Sequence, residues 1–184
     1  MMYYAFVCLC DREKFALGGN KMKNTKENEE LIELLSNNNN NVETSKEICQ
    51  KSPLITIPAV EKTVTAGGFD LMVVCPCTGN TLAKLSNGIT DGPVSMGVKA
   101  MLRNKKPIVI AFASNDGLSG SLKNIAALLE RKNFFFVPLR QDDFVNKPSS
   151  LVCDFSLVEQ TISVAMGGKQ LQPILLPPLK KEEK

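Results

Sequence analysis

The sequence predicts an α/β fold built on a parallel sheet with helices on both faces, and three observations carry that prediction. After their first residues, the stretches Asp70 to Cys75 and Pro107 to Phe112 are unbroken apolar runs with no polar alternation, the pattern of strands buried on both faces. Segments able to form helices separate these runs, with apolar residues at helical spacing. A chain of 184 residues that is 43% apolar suits one domain around a single core.

The elements follow in order. Met1 to Cys10 is apolar but has no charged leader and no small-residue cleavage site, so it reads as a strand and the chain as cytoplasmic. Residues 18 to 52 are polar and rich in Asn and Lys. Within them Asn24-Thr25-Lys26-Glu27 has a capping-box pattern, and Leu31, Ile32, Leu34 and Leu35 give a short apolar face. The run Asn37 to Asn41 reads as a loop, because it has poor helix propensity and no apolar side. Leu54 to Ile57 reads as a short strand and Ala59 to Ala66 as a short helix closed by Gly67-Gly68.

Beyond the strand that stops at Pro76, Thr78 to Asn87 and Val94 to Arg103 read as helices. Leu118 to Lys132 is amphipathic, with Leu118, Leu122, Ile125, Leu128 and Leu129 on one face. Phe134 to Pro138 is a third strand, and Leu151 to Met166 contains the last helix. The whole reads as one domain over 1–176 with a charged tail at 177–184.

Composition excludes several chemistries. The chain has no histidine, which removes Ser-His-Asp and Cys-His nucleophile activation, imidazole bases and His-containing metal sites. With 22 basic and 19 acidic residues interspersed, a net charge of +3, two tyrosines and no tryptophan, there is no basic aromatic face for nucleic acid. Apolar stretches are too short to span a membrane. The six cysteines at 8, 10, 49, 75, 77 and 153 form no Cys-x-x-Cys pair, and those inside apolar runs read as buried, reduced thiols rather than metal ligands.

Open sheets of this class bind ligands where loops and helix N-termini meet at the carboxyl ends of the strands. Three loops qualify: Pro76 to Thr81, Ala113 to Gly117 and Leu139 to Asp143. In the first, Thr78, Gly79, Asn80 and Thr81 offer backbone N–H groups, hydroxyls and an amide at a helix start. That combination either caps the helix or holds a phosphate. It lacks the Gly-Lys-Ser/Thr of a P-loop. In the second, Asp116 reads as a cap for the helix at Leu118, which leaves Asn115 for contact with a ligand. Lys99 and Arg103, four residues apart on one helix face, either form a solvated basic stripe or grip a dicarboxylate. Lys84 lies on the helix leaving the first loop. Cys77 either sits buried or carries a thiol activated by the helix N-terminus.

The stretch Pro76-Cys77-Thr78-Gly79-Asn80-Thr81-Leu82-Ala83-Lys84 resembles the Pro-x-x-x-Asn-Thr-x-Ala-Lys pattern of the FMN-binding, cysteine-decarboxylase-like flavoproteins. Asn87 to Asp91, Lys99 to Asn104, Asn115-Asp116, Phe136-Val137-Pro138, Gln141-Asp142, Lys147 to Val152 and Gln170 to Pro173 narrow the resemblance to the dipicolinate synthase B subunits. It covers about residues 54 to 176. The resemblance implies a three-layer, doubly wound flavoprotein fold of the flavodoxin or Rossmann-like type. It implies FMN on a turn that includes Thr78, Gly79, Asn80 and Thr81, with Gly18 and Gly19 in the first loop, and a substrate-recognising Asn at Asn115. It further implies oxidation of a dihydrodipicolinate-type dicarboxylate, anchored by Lys99 and Arg103. An A subunit would bring NAD(P), and the chain itself would form a homo-oligomer. The decarboxylases of the family use a histidine ahead of the strand leading into Pro76; here that stretch reads Thr63-Val64-Thr65. Residues 1–53 also depart from the family pattern, with Phe15 to Gly19 in place of a Thr-Gly-Ser loop and no Thr-Arg-Phe-Gly segment.

Overall fold

The structure is a computed structural model, and it describes residues 6–10, 57–66 and 69–178. Its strands are β1 (Phe6–Cys10), β2 (Leu71–Cys77), β3 (Ile108–Ser114), β4 (Phe134–Phe136), β5 (Leu139–Arg140) and β6 (Leu151–Cys153). Its helices are α1 (Ile57–Thr65), α2 (Gly79–Asn87), α3 (Pro93–Arg103), α4 (Leu122–Leu129) and α5 (Val158–Met166), with a 3-10 turn at Phe155–Leu157 ahead of α5. Gly18, Gly19, the capping box at 24–27 and the Asn run lie outside the described residues, as does most of the expected strand at 54–57. Ile57 itself opens α1, with Pro58 in the first turn, where a missing N–H costs nothing.

The three central strands are parallel, with Met72 beside Ile108 and Ile108 beside Phe134. The sheet as a whole is mixed, because β1 runs antiparallel to β2 and β6 antiparallel to β3. Apolar periodicity marks burial but carries no direction, so the fully parallel sheet expected from sequence needs this correction. For β6 the cause is local: residues 141–150 fold β6 back on β5 as a hairpin, and hairpins are antiparallel. Two strands share one edge of β3, with β4 along its first half and β6 along Ala113 and Ser114.

Leu71 to Cys75 and Ile108 to Phe112 are buried without a break, so both faces of the sheet are covered. On one face, a β-carbon at Gly97 of α3 would lie 3.1 Å from Met72 Cε and 3.3 Å from Val60 Cγ1. The missing side chain lets α3 and α1 close on β2. The ladder slips between Val74 and Cys77, where Pro76 has no N–H to give. Gln170 completes the outer edge of β4, accepting from the Phe136 N–H at 2.8 Å and donating to its carbonyl at 2.6 Å.

Three other sequence expectations change. The helix expected over 118–132 is only α4, with Ile125 and Leu128 buried while Leu118, Leu122 and Leu129 are exposed. The Asp116 carbonyl accepts the Ser119 and Ser121 N–H groups and turns the chain before the helix can start. The strand expected over 134–138 breaks before Pro138, and Leu139 and Arg140 pair with β6 instead. Leu151 to Cys153, placed ahead of the last helix, is a strand.

Candidate functional site

The loops after β2 and β3 meet at one end of the sheet. Thr78 caps α2: it sits in an extended conformation, and its hydroxyl accepts the Thr81 N–H at 3.4 Å and lies 3.2 Å from the Thr81 hydroxyl. The Leu82 N–H goes to the Thr78 carbonyl. Gly79 and Asn80 occupy the first turn, where backbone donors have no partner inside a helix, and Asn80 is exposed. At the other end of α2, Gly88 adopts φ 70° and closes the helix on the Leu85 and Lys84 carbonyls.

Gly79 is also the contact with the second loop. A β-carbon there would lie 2.8 Å from Ser121 Oγ, 3.1 Å from Ser114 Oγ and 3.2 Å from Asp116 Oδ1. The Asp116 carboxylate is the hub of that cluster, accepting the Ser114 hydroxyl and, at 3.4 Å, the Ser121 hydroxyl. Asp116 thus ties the turn from Asp116 to Ser121, while Ser121 takes the N-cap position of α4. Asn115 is exposed and makes no side-chain hydrogen bond among the described residues. Gly117 is buried between β3 and β6 and holds the turn in place.

The structure brings Thr78, Gly79, Asn80 and Thr81 together with the Asn115–Asp116 turn, and leaves the expected cations elsewhere. Arg103 lies in the last turn of α3, the end that returns to the start of β3, and its guanidinium is 3.8 Å from Glu61 of α1. Lys99 is exposed on the same helix. Lys84 pairs with Asp91 at 2.8 Å. Cys77 is buried, and that burial, with Cys75 beside it, pushes its thiol far above the usual range. A thiol so raised is no nucleophile.

Sequence reasoning placed Arg140 in the third candidate loop without giving it a role and missed its partner Asp154; their ion pair joins β5 to the turn after β6. Its only sequence signal is two opposite charges 14 residues apart, meaningful once the hairpin register is known. No helix among the described residues is long and apolar enough to cross a membrane.

A model of the flavoprotein family matches residues 12–167. The chain is similar to the B subunit of dipicolinate synthase from Bacillus subtilis (strain 168), 46% identical over 108 residues, or 59% of this chain and 54% of that protein. It is 31% identical over 100 residues to the flavin prenyltransferase UbiX of Archaeoglobus fulgidus, covering 53% of this chain and 52% of that one. Among solved structures, the B subunit of dipicolinate synthase from Bacillus halodurans superposes with a TM-score of 0.70 at 38% identity, covering 73% of this chain and 69% of that one. The chain spans about half the length of the curated relatives it matches.

Proposed function

The chain belongs to the flavoprotein family, in the branch of the dipicolinate synthase B subunits, and on that footing we propose that it is the B subunit of a dipicolinate synthase. In this reading it takes part, with an A subunit that brings NAD(P), in oxidising a dihydrodipicolinate-type precursor to pyridine-2,6-dicarboxylate during sporulation in the cytoplasm. The carrying observation is the junction at Gly79, where the family's Asn-Thr turn and the Asn115 loop form one surface at the carboxyl ends of β2 and β3.

The residues present fit a flavin phosphate. The first turn of α2 offers the Gly79 and Asn80 N–H groups, the Thr78 and Thr81 hydroxyls and the positive end of a helix dipole. FMN held there supplies a hydride acceptor. Asn80 orients the polar chain, and Asn115, free of structural duty, reaches the substrate. Lys99 and Arg103, exposed on α3, would serve as carboxylate anchors for a neighbouring copy in a homo-oligomer. An aromatising oxidation needs anchors and an acceptor but no histidine, whereas the family's decarboxylation does.

Purified protein titrated with FMN should develop a bound-flavin absorption band, and Asn115→Ala should abolish the synthase activity that an A subunit reconstitutes with it. A second reading, a partner protein that takes up no flavin, draws on the hydrogen bonds of Thr78 and Asp116, which serve their own turns. It predicts no flavin uptake and full activity in Asn115→Ala.

A further inference from the structure

A second cluster lies along the sheet from these loops. Ala113 pairs with Val152 and Val152 with Arg140, which puts Arg140 two strands, roughly 10 Å, from the end of β3. Beside it is a cavity of about 230 Å³ lined by Arg140, Asp142, Val152, Cys153, Asp154 and Phe155. Arg140 Nη2 donates to Asp154 Oδ2. The other Asp154 oxygen accepts the Ser156 N–H at 3.1 Å and the Ser156 hydroxyl at 2.6 Å. Asp154 is therefore fully engaged and fixes the guanidinium.

Two polar atoms of this cluster are left over. Arg140 Nε and Asp142 Oδ1 are buried, and neither has a hydrogen-bond partner among the described residues. The loop carrying Asp142 is pinned on both sides of it. Gln141 Nε2 donates to the Pro148 carbonyl at 2.9 Å, and the Asn146 N–H and amide donate to the Asp143 carboxylate at 3.2 and 2.8 Å. A buried donor and a buried acceptor left unmade are each unfavourable. An occupant offering an acceptor and a donor together would satisfy both.

We propose that this cavity binds a small cyclic amino or imino acid, with its carboxylate on Arg140 Nε and its ring N–H on Asp142 Oδ1. Charge selects the class. Arg140 against Asp142 and Asp154 leaves the cluster one unit negative, so a plain anion is repelled and a plain cation leaves Arg140 Nε unserved. A molecule carrying both a carboxylate and an N–H serves both. Val152 and Phe155 give an apolar wall for ring carbons, and the volume, below the ~300–1,000 Å³ of drug-sized pockets, limits the occupant to one small ring. The inference goes beyond the proposed function: it is read from the two unserved atoms, Arg140 Nε and Asp142 Oδ1, and assumes neither flavin nor an A subunit.

Calorimetric titration of the full chain with piperidine-2-carboxylate, pyridine-2-carboxylate and cyclohexanecarboxylate tests this. The first, which alone combines a carboxylate with a ring N–H, should bind at least tenfold more tightly than the others. Arg140→Met should weaken it at least tenfold. Asp142→Asn, whose amide can donate, should reverse the preference toward pyridine-2-carboxylate, a gain that misfolding cannot mimic. Equal binding of the three acids, no binding at millimolar concentration, or an unchanged preference in Asp142→Asn would overturn the proposal. These titrations need neither an A subunit nor flavin. A failed synthase assay beside the expected binding therefore counts against the proposed function and leaves the site standing.

Discussion

Gly79 and Ser121 touch so closely that a β-carbon on Gly79 would lie 2.8 Å from the Ser121 hydroxyl. The first turn of α2 is thereby seated on the hydroxyls and carboxylate of the turn after β3. Two loops that the sequence separates by more than thirty residues act as one surface, and the orientation of the free N–H groups at Gly79 and Asn80 depends on that seating.

Gly79→Ala separates holding a ligand from holding the fold. Alanine gains about 1 kcal/mol of helix propensity over glycine, while displacing Ser121 from Asp116 forfeits a hydrogen bond of similar size. The thermal midpoint should therefore move by only a few degrees. Flavin affinity, set by donor placement, should fall at least tenfold in a titration followed by absorbance. Unchanged flavin affinity would mean that this turn does not hold the cofactor.

The central strands were legible because Leu71 to Cys75 and Ile108 to Phe112 have no polar residue to interrupt them. The Thr78 cap was equally plain, since it acts through neighbours within a few residues. The length of α4 was not: Leu118, Leu122 and Leu129 share its spacing with the core residues, yet the Asp116 turn diverts the chain and leaves all three exposed. Strand direction, the pairing of Arg140 with Asp154 and the pull of Glu61 on Arg103 depend on which elements meet in space. Local pattern holds no record of that.

Gly117→Ala should destabilise the fold outright. Its β-carbon would sit 2.4 Å from Leu151 Cβ, 3.1 Å from the Leu151 backbone nitrogen and 3.1 Å from Phe112 Cε1. Phe112 and Leu151 are buried strand residues with little room to give. Overpacking of this kind costs about 1–3 kcal/mol, which denaturant unfolding can measure. A variant as stable as the parent would mean that β6 is free to shift away from β3.

Acid should release Lys84 from Asp91. The hydrogen bond from the Lys84 ammonium is the chief cause holding the Asp91 carboxyl below its usual range. A carboxyl depressed in the fold contributes stability above its unfolded value, and that contribution is lost as pH falls through the folded one. Lys84→Met should raise the Asp91 titration midpoint, followed by carboxyl-carbon NMR, toward about 3.9. Because the pair is exposed, the thermal midpoint at pH 7 should barely change. A midpoint that stays low without Lys84 would assign the depression to the Asp91 backbone instead.

The buried thiols should be inert until the chain unfolds. Desolvation raises both Cys77 and Cys153, the neighbouring Cys75 raises each further, and Asp154 adds to the effect on Cys153. Only the thiolate attacks an alkylating agent. With the thiolate suppressed and both side chains buried, iodoacetamide at pH 8 should leave Cys77 and Cys153 unmodified over the time in which a free thiol is consumed. In denaturant the same two sites should react fully. Peptide mass mapping reads each cysteine separately, so the remaining cysteines do not confuse the result. Rapid native labelling at Cys77 would place a reactive thiol at the start of α2 and restore it as a candidate nucleophile, against both its burial and its raised pKa.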